Sequence, residues 1–246
     1  MAAVTAPEIR IDELTGLRTL HAPARAGRPE SFAVDASAPA SDALERCPFC
    51  EGREDRTPPE VWAERPAGGE PDSSGWTQRS VPNLYPALTG PGDGSGVEPP
   101  TASGLSSAAD PLGGSARASE PELFRSAAAE GAHEVIVSPP RHVTSLADLD
   151  AGELAGAMVA WRTRVAAHAS EASYVHLIVN EGREAGASLE HSHAQLYALP
   201  FVPAEIARER ERHAASPLRP MGSHLLEDAL VEEVRRHDRL VAIDSG

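Results

Sequence analysis

The sequence predicts an α+β fold, an antiparallel sheet with helices packed on it. Two observations carry that prediction. Alternating or apolar runs at 9–21, 132–138, 174–180 and 191–199 read as strands, and one long capped helix stands between the second run and the third. Strands, helix, strand, glycine-bearing loop and strand, in that order, are met most simply by such a sheet.

From Ile9 to His21 the alternation predicts a strand, a Thr15-Gly16 turn and a second strand. Pro23 to Pro29 breaks the pattern and places Arg25 and Arg28 three apart between prolines, which suits either a rigid anion-binding corner or a solvated turn. Residues 90–121 are rich in Gly, Pro, Ser and Ala and poor in large apolar side chains, so they read as a flexible low-complexity insertion without chemistry. Order returns with a buried strand, Ala132 to Ser138, that stops at Pro139-Pro140 and leaves Arg141 and His142 just beyond. Asp150 opens a helix, with Glu153 three residues on as in a capping box. Leu154, Met158, Trp161 and Val165 recur at helical spacing and are expected to face the core. Tyr174 to Asn180 is the next strand, followed by a glycine-bearing loop, and Pro203 to Leu240 is charged and helical.

Composition excludes several classes. A formal net charge of -15 argues against non-specific binding to nucleic acid. No apolar stretch approaches the ~18 residues that would span a membrane. The first residues lack the basic region and apolar core of a signal peptide, so the expected location is cytoplasmic. All 22 Lys+Arg positions are arginine, which removes a Schiff-base or P-loop lysine from consideration within this chain. The 246 residues are expected to form a single domain.

Two short runs carry chemistry. The only two cysteines form a C-x2-C pair, Cys47 and Cys50, open to three readings: half a metal site, a redox pair or chance. A metal would need two further ligands from His or carboxylate. The second run is Glu190-His191-Ser192-His193-Ala194-Gln195, leading into apolar residues. As a strand, it would align His191, His193 and Gln195 on one face. Imidazoles so placed suit metal ligation, proton transfer or nucleophilic attack near neutral pH, and an incidental edge strand is the alternative. His133 and His176 lie inside apolar strands and read as packed core histidines.

Five segments, in order, resemble the galactose-1-phosphate uridylyltransferase family of the histidine-triad superfamily. They are Arg10 to Pro29, Cys47-Pro48-Phe49-Cys50-Glu51-Gly52, Val81 to Leu88, Ser138 to His142, and Asn180 to Gln195. Ser192 stands where most such enzymes carry proline, a variant that resembles the ADP-glucose phosphorylases. The resemblance implies the first half of a two-repeat transferase fold, the second half lying outside these residues. It implies a structural zinc on Cys47, Cys50, His142 and His191. It makes His193 the nucleophile, with Gln195 and Ser188 assisting at phosphate. Arg25 and Arg28 would bind phosphate, Asn83 the nucleoside, and Asn180 and Gly186 would add contacts, the glycine by allowing close approach. The implied reaction exchanges a nucleotidyl group between a nucleoside diphosphate sugar and a sugar 1-phosphate in galactose metabolism. It runs through a nucleotidyl-histidine, and a homodimer is the usual assembly. The alternatives are an ADP-glucose phosphorylase, a nucleotide-sugar hydrolase, and a non-catalytic zinc-stabilised module.

Overall fold

The computed structural model describes residues 6–11, 17–27, 44–90, 126–182, 184–215 and 225–240. Arg28, the Thr15-Gly16 turn and nearly all of the 90–121 insertion lie outside the described residues. Two compact units are present, 1–201 and 202–246. The second contributes two helices, α2 (Ala204–Ala215) and α3 (Leu225–Arg236), in the tail expected to be helical.

The first unit is built on two antiparallel sheets. A small sheet orders β2 (Arg18–His21), β1 (Glu8–Ile11) and β5 (Ser126–Ala128). The main sheet runs β3 (Trp62–Glu64), β4 (Gln78–Pro82), β6 (Ala132–Val137), β8 (His193–Leu199) and β7 (Tyr174–Val179). Every strand pair is antiparallel, as the α+β reading requires.

Register decides what each face of the main sheet carries. Ser80, Ile136, Ala194 and Val179 share one face, with Glu134, Leu196 and Leu177 beside them. On that face lies α1 (Ala151–His168), whose Asp150 and Glu153 form the predicted capping box. The helix approaches through small residues. Ala157 and Ala160 are fully buried, and Ala160 packs among Ile136, Ala194, Leu196 and Ala198, with Trp161 and Val165 alongside. Gly156 sits so close to β4 that an added Cβ would lie 2.3 Å from Gln78 Nε2. The expected core stripe is therefore corrected in half: Leu154 and Met158 are exposed, because the buried arc passes through 157, 160 and 161 instead. Spacing alone cannot rank two overlapping arcs when the buried one is made of alanine.

Under α1 the sheet also holds a buried ion cluster. Glu134 accepts from Arg164 at 2.7 and 2.8 Å, from His168 at 2.6 Å and from Ser80 at 2.8 Å. Burial opposes ionisation, but these donors outweigh it and hold the carboxyl below its ordinary 4.5.

The opposite face carries Arg79 and Val81 of β4, His133, Val135 and Val137 of β6, His193, Gln195 and Tyr197 of β8, and His176 and Ile178 of β7. One end is covered by the Cys47–Cys50 loop, whose Cys47 and Phe49 bury against Trp76, Val81, Val135 and Val137. The other end is covered by the small sheet, through Ile9 and Leu20 against Leu88, Leu199 and Phe201. Between the two covers lies the row His193, Gln195, Tyr197.

Replacing Glu134 by Gln leaves the Arg164 guanidinium half-buried without its counter-charge. The expected loss of unfolding free energy at pH 7 is about 3–5 kcal/mol, measured by chemical denaturation. A depressed folded pKa stabilises above the unfolded value and stops doing so as pH falls through the folded one. The wild type should therefore lose this contribution below about pH 4.5, and E134Q should lack that acid-dependent component.

Candidate functional site

Cys47, Cys50, His142 and His191 converge although they come from three distant stretches. All four donor atoms lie within 4.8 Å of one another. Cys47 Sγ is 3.4 Å from His191 Nδ1, Cys50 Sγ is 3.5 Å from His142 Nδ1, and Cys50 Sγ is 3.7 Å from His191 Nδ1. A tetrahedral ion with bonds of ~2.0–2.3 Å separates its ligand atoms by roughly 3.5 Å, so this cluster is already spaced to receive one. His191 Nε2 donates to Pro139 O at 3.1 Å, which leaves the Nδ1 lone pair turned to the cluster. Burial pushes the Cys47 thiol up to about 12 and His191 down to about 4, and burial also lowers His142. A neutral imidazole is ready to ligate, whereas a buried thiol needs a cation to draw off its proton. Of the three readings open for C-x2-C, the metal reading is the one with two further donors in place.

One sequence expectation changes here. His191 is not on a strand with His193, because β8 begins at His193. The backbone just before it leaves the sheet: Ser192 N donates to Val143 O at 2.7 Å, tying the run to the loop that carries His142. His191 thereby faces the cysteines while His193 faces the open row. Ser192 points to neither. Its hydroxyl donates to Glu181 Oε1 at 2.6 Å, and the same carboxylate accepts from Leu146 N at 2.6 Å and Ser145 Oγ at 3.0 Å. Through Glu181, the end of the β7–β8 loop is tied to its start and to the loop between β6 and α1.

His193 is buried, and burial lowers its pKa, so the imidazole is neutral near pH 7. Its Nδ1 donates to His191 O at 2.7 Å, which leaves the lone pair on Nε2. The Phe49 ring packs at 5.1 Å between centroids, tilted by 58°, so the cysteine loop also holds the imidazole sideways. Phe49 is a positioning contact that spacing did not single out, and its place inside the C-x2-C was the available signal.

Gln195 follows on the same face, beside Ile178 and Val135. Asn180 follows Val179, which pairs with Ala194, so its register position is next to His193. Ser188 and Gly186 lie in the loop between β7 and β8, whose Leu189 packs on the cysteine-loop core. Gly186 has φ of 80° with open space where a Cβ would stand, so its glycine serves a left-handed turn. Asn83 Oδ1 accepts from Tyr85 N at 2.9 Å, and Arg25 reaches the same segment by donating to Tyr85 O at 2.6 Å. Arg25 also lines a cavity of about 530 Å³ with Leu20, Ala87, His176 and Tyr197. The expectation for His176 fails, since it is exposed on the cavity side, whereas His133 is buried and fully engaged.

The family model of the galactose-1-phosphate uridyl transferase N-terminal domain matches residues 104–203. Over these residues the chain is similar to the galactose-1-phosphate uridylyltransferase family. An ADP-glucose phosphorylase of Arabidopsis thaliana is 30% identical over 203 residues, 82% of this chain and 51% of that protein. A galactose-1-phosphate uridylyltransferase of Haemophilus influenzae is 32% identical over 125 residues, 51% of this chain and 35% of its own length. A solved uridylyltransferase mutant superposes with a TM-score of 0.53 at 26% identity, covering 84% of this chain and 50% of that one. The chain thus spans between about a third and about half of the length of these relatives.

The four-donor cluster should bind one divalent ion per chain, with Cys47→Ser or His191→Ala abolishing it in metal analysis. Uptake expels the Cys47 proton, so affinity should rise with pH. Where free metal exceeds Kd by about 1000-fold, binding should stabilise the fold by about 4 kcal/mol, seen as a fall in Tm on chelation.

Proposed function

We propose that the chain carries a nucleotidyl-transfer site in which His193 is the nucleophile. The observation that carries this reading is the Nδ1 hydrogen bond to His191 O, which leaves the lone pair on Nε2 of an imidazole on the sheet face away from α1. Nε2 attacks the α-phosphorus of a nucleoside diphosphate sugar, the bond from that phosphorus to the bridging oxygen breaks, and sugar 1-phosphate departs with the electron pair. The imidazole gains positive charge, which strengthens its Nδ1–H bond to the carbonyl. A second sugar 1-phosphate then attacks the nucleotidyl-histidine and regenerates the free imidazole. Splitting the exchange into two like steps gives ping-pong kinetics.

Gln195 and Ser188 donate to phosphate oxygens as charge grows on them, and Asn180 and the backbone at Gly186 add contacts. Arg25 and Arg28 hold phosphate, and Asn83 meets the nucleoside. Zinc is the ion best matched by two thiolates and two imidazoles. With four protein ligands it keeps no position for water, so its role is structural. It would pin the Phe49 loop and the turn before β8, and so the imidazole of His193. The same reading carries a cytoplasmic location and a homodimeric assembly. No helix among the described residues is long and apolar enough to cross a membrane.

The extent of the match to the plant ADP-glucose phosphorylase, 82% of this chain, and the Ser192 variant favour a second reading of the same chemistry. Inorganic phosphate is then the acceptor and an adenylyl group is transferred. A zinc-stabilised module without activity is the alternative of another class.

Incubation with UDP-glucose or ADP-glucose labelled in the α-phosphate should yield an acid-labile covalent adduct that His193→Ala abolishes. The donor that labels, and release by galactose 1-phosphate or by inorganic phosphate, separate the two transferase readings. A wild-type chain that labels with neither donor is the inert module.

A further inference from the structure

We propose that His133 is a positioning residue for transfer, locking the side-chain amide of Gln195 so that its NH2 is the end presented to phosphate. This rests on the reading that Gln195 meets phosphate beside His193. Nothing in the sequence separates His133 from an ordinary core histidine, but its hydrogen bonds do. Ala87 N donates to His133 Nδ1 at 3.0 Å, so that nitrogen carries a lone pair and the ring proton sits on Nε2. Burial, the largest cause, pushes its pKa down to about 4, so the ring has a single proton at neutral pH.

Nε2–H is 3.1 Å from Gln195 Oε1, and Tyr197 Oη donates to the same oxygen at 3.0 Å. The Nε2–H donor leaves one orientation of the amide, because the flipped form would set its NH2 against that N–H, whereas the Tyr197 hydroxyl accepts as readily as it donates. Among the described residues no hydrogen bond engages that NH2, so it is the end left for a ligand. Asn83 is held alongside. Its Oδ1 is taken by Tyr85 N, and its Nδ2 lies 3.1 Å from the same His133 Nε2, which has no lone pair to accept it. Asn83 is therefore held through Tyr85 N and not through the imidazole. Tyr197 is itself stacked on His133, at 4.1 Å between centroids and 24°, so the second donor is placed by the same ring. An amide held this way needs no rearrangement as charge develops on phosphate.

The test uses the full chain. In His133→Phe the ring still stacks on Tyr197 but lacks Nε2–H, and in His133→Gln a donor is kept. With α-labelled UDP-glucose and ADP-glucose, H133F should lower the maximal rate of adduct formation at least tenfold, with the half-saturating donor concentration changed less than about threefold. H133Q should recover part of the loss. Gln195→Leu should lower the same rate by about 100-fold, and adding H133F to it should cost little more. Full activity in H133F overturns the proposal, and so does a loss of equal size in the Q195L background.

Nitrogen-15 NMR reads the orientation without turnover. The wild type should show His133 protonated at Nε2 alone and two resolved Gln195 amide protons that shift in H133F. A wild type that forms no adduct yet shows this coupling refutes the transfer reading and keeps the positioning role. An Nδ1–H tautomer, or a Gln195 amide indifferent to H133F, refutes the positioning role whatever the activity.

Discussion

The meeting of two thiols and two imidazoles at Cys47, Cys50, His142 and His191 is the constraint on which the rest of the site depends. It joins the loop before β3, the turn after β6 and the turn before β8, three stretches that share no strand pairing there. Closing those three onto one point sets where β8 begins. It also brings Phe49 against His193, and it lets Ser192 and Glu181 buckle the loops behind. Two thiols and two imidazoles whose donor atoms all lie within 4.8 Å of one another form a donor set that could hold a metal.

The main sheet separates stability from chemistry by its faces. One face closes against α1 with alanine, leucine and the Glu134–Arg164–His168 cluster. The other is left open in its middle, between the cysteine loop and the small sheet. Alternation along β8 delivers His193, Gln195 and Tyr197 to that open strip, while Ala194, Leu196 and Ala198 serve the core. One strand thus anchors the helix layer and lays out the polar row without conflict between the two tasks.

Polar groups on the open face are not free to choose their roles. His193 has its tautomer set by a backbone carbonyl, His191 by another, and His133 by a backbone N–H. Three imidazoles with similar intrinsic chemistry therefore present different atoms: Nε2 as a lone pair on His193, Nδ1 as a lone pair on His191, and Nε2–H as a donor on His133. Their backbone partners, rather than their residue type, assign the tasks.

The residues by themselves determined the antiparallel α+β class, the capping box at Asp150 and the succession of β6, α1, β7 and β8 along the chain. Local spacing and rare residue types also singled out two cysteines in the whole chain and two histidines one residue apart, while the full donor set at Cys47, Cys50, His142 and His191 came from the family resemblance. Tertiary structure alone decided which arc of α1 is buried, since the alanine face at 157 and 160 carries no hydrophobic signal to outrank Leu154 and Met158. It decided that His191 leaves the strand, because Ser192 N finds Val143 O rather than a partner in the sheet. It placed the Ser192 hydroxyl on Glu181, and it added to the packing of His133 a hydrogen bond to Gln195 Oε1. In each case the deciding partner is distant in sequence, and a hydrogen bond to a remote backbone atom leaves no trace in local spacing.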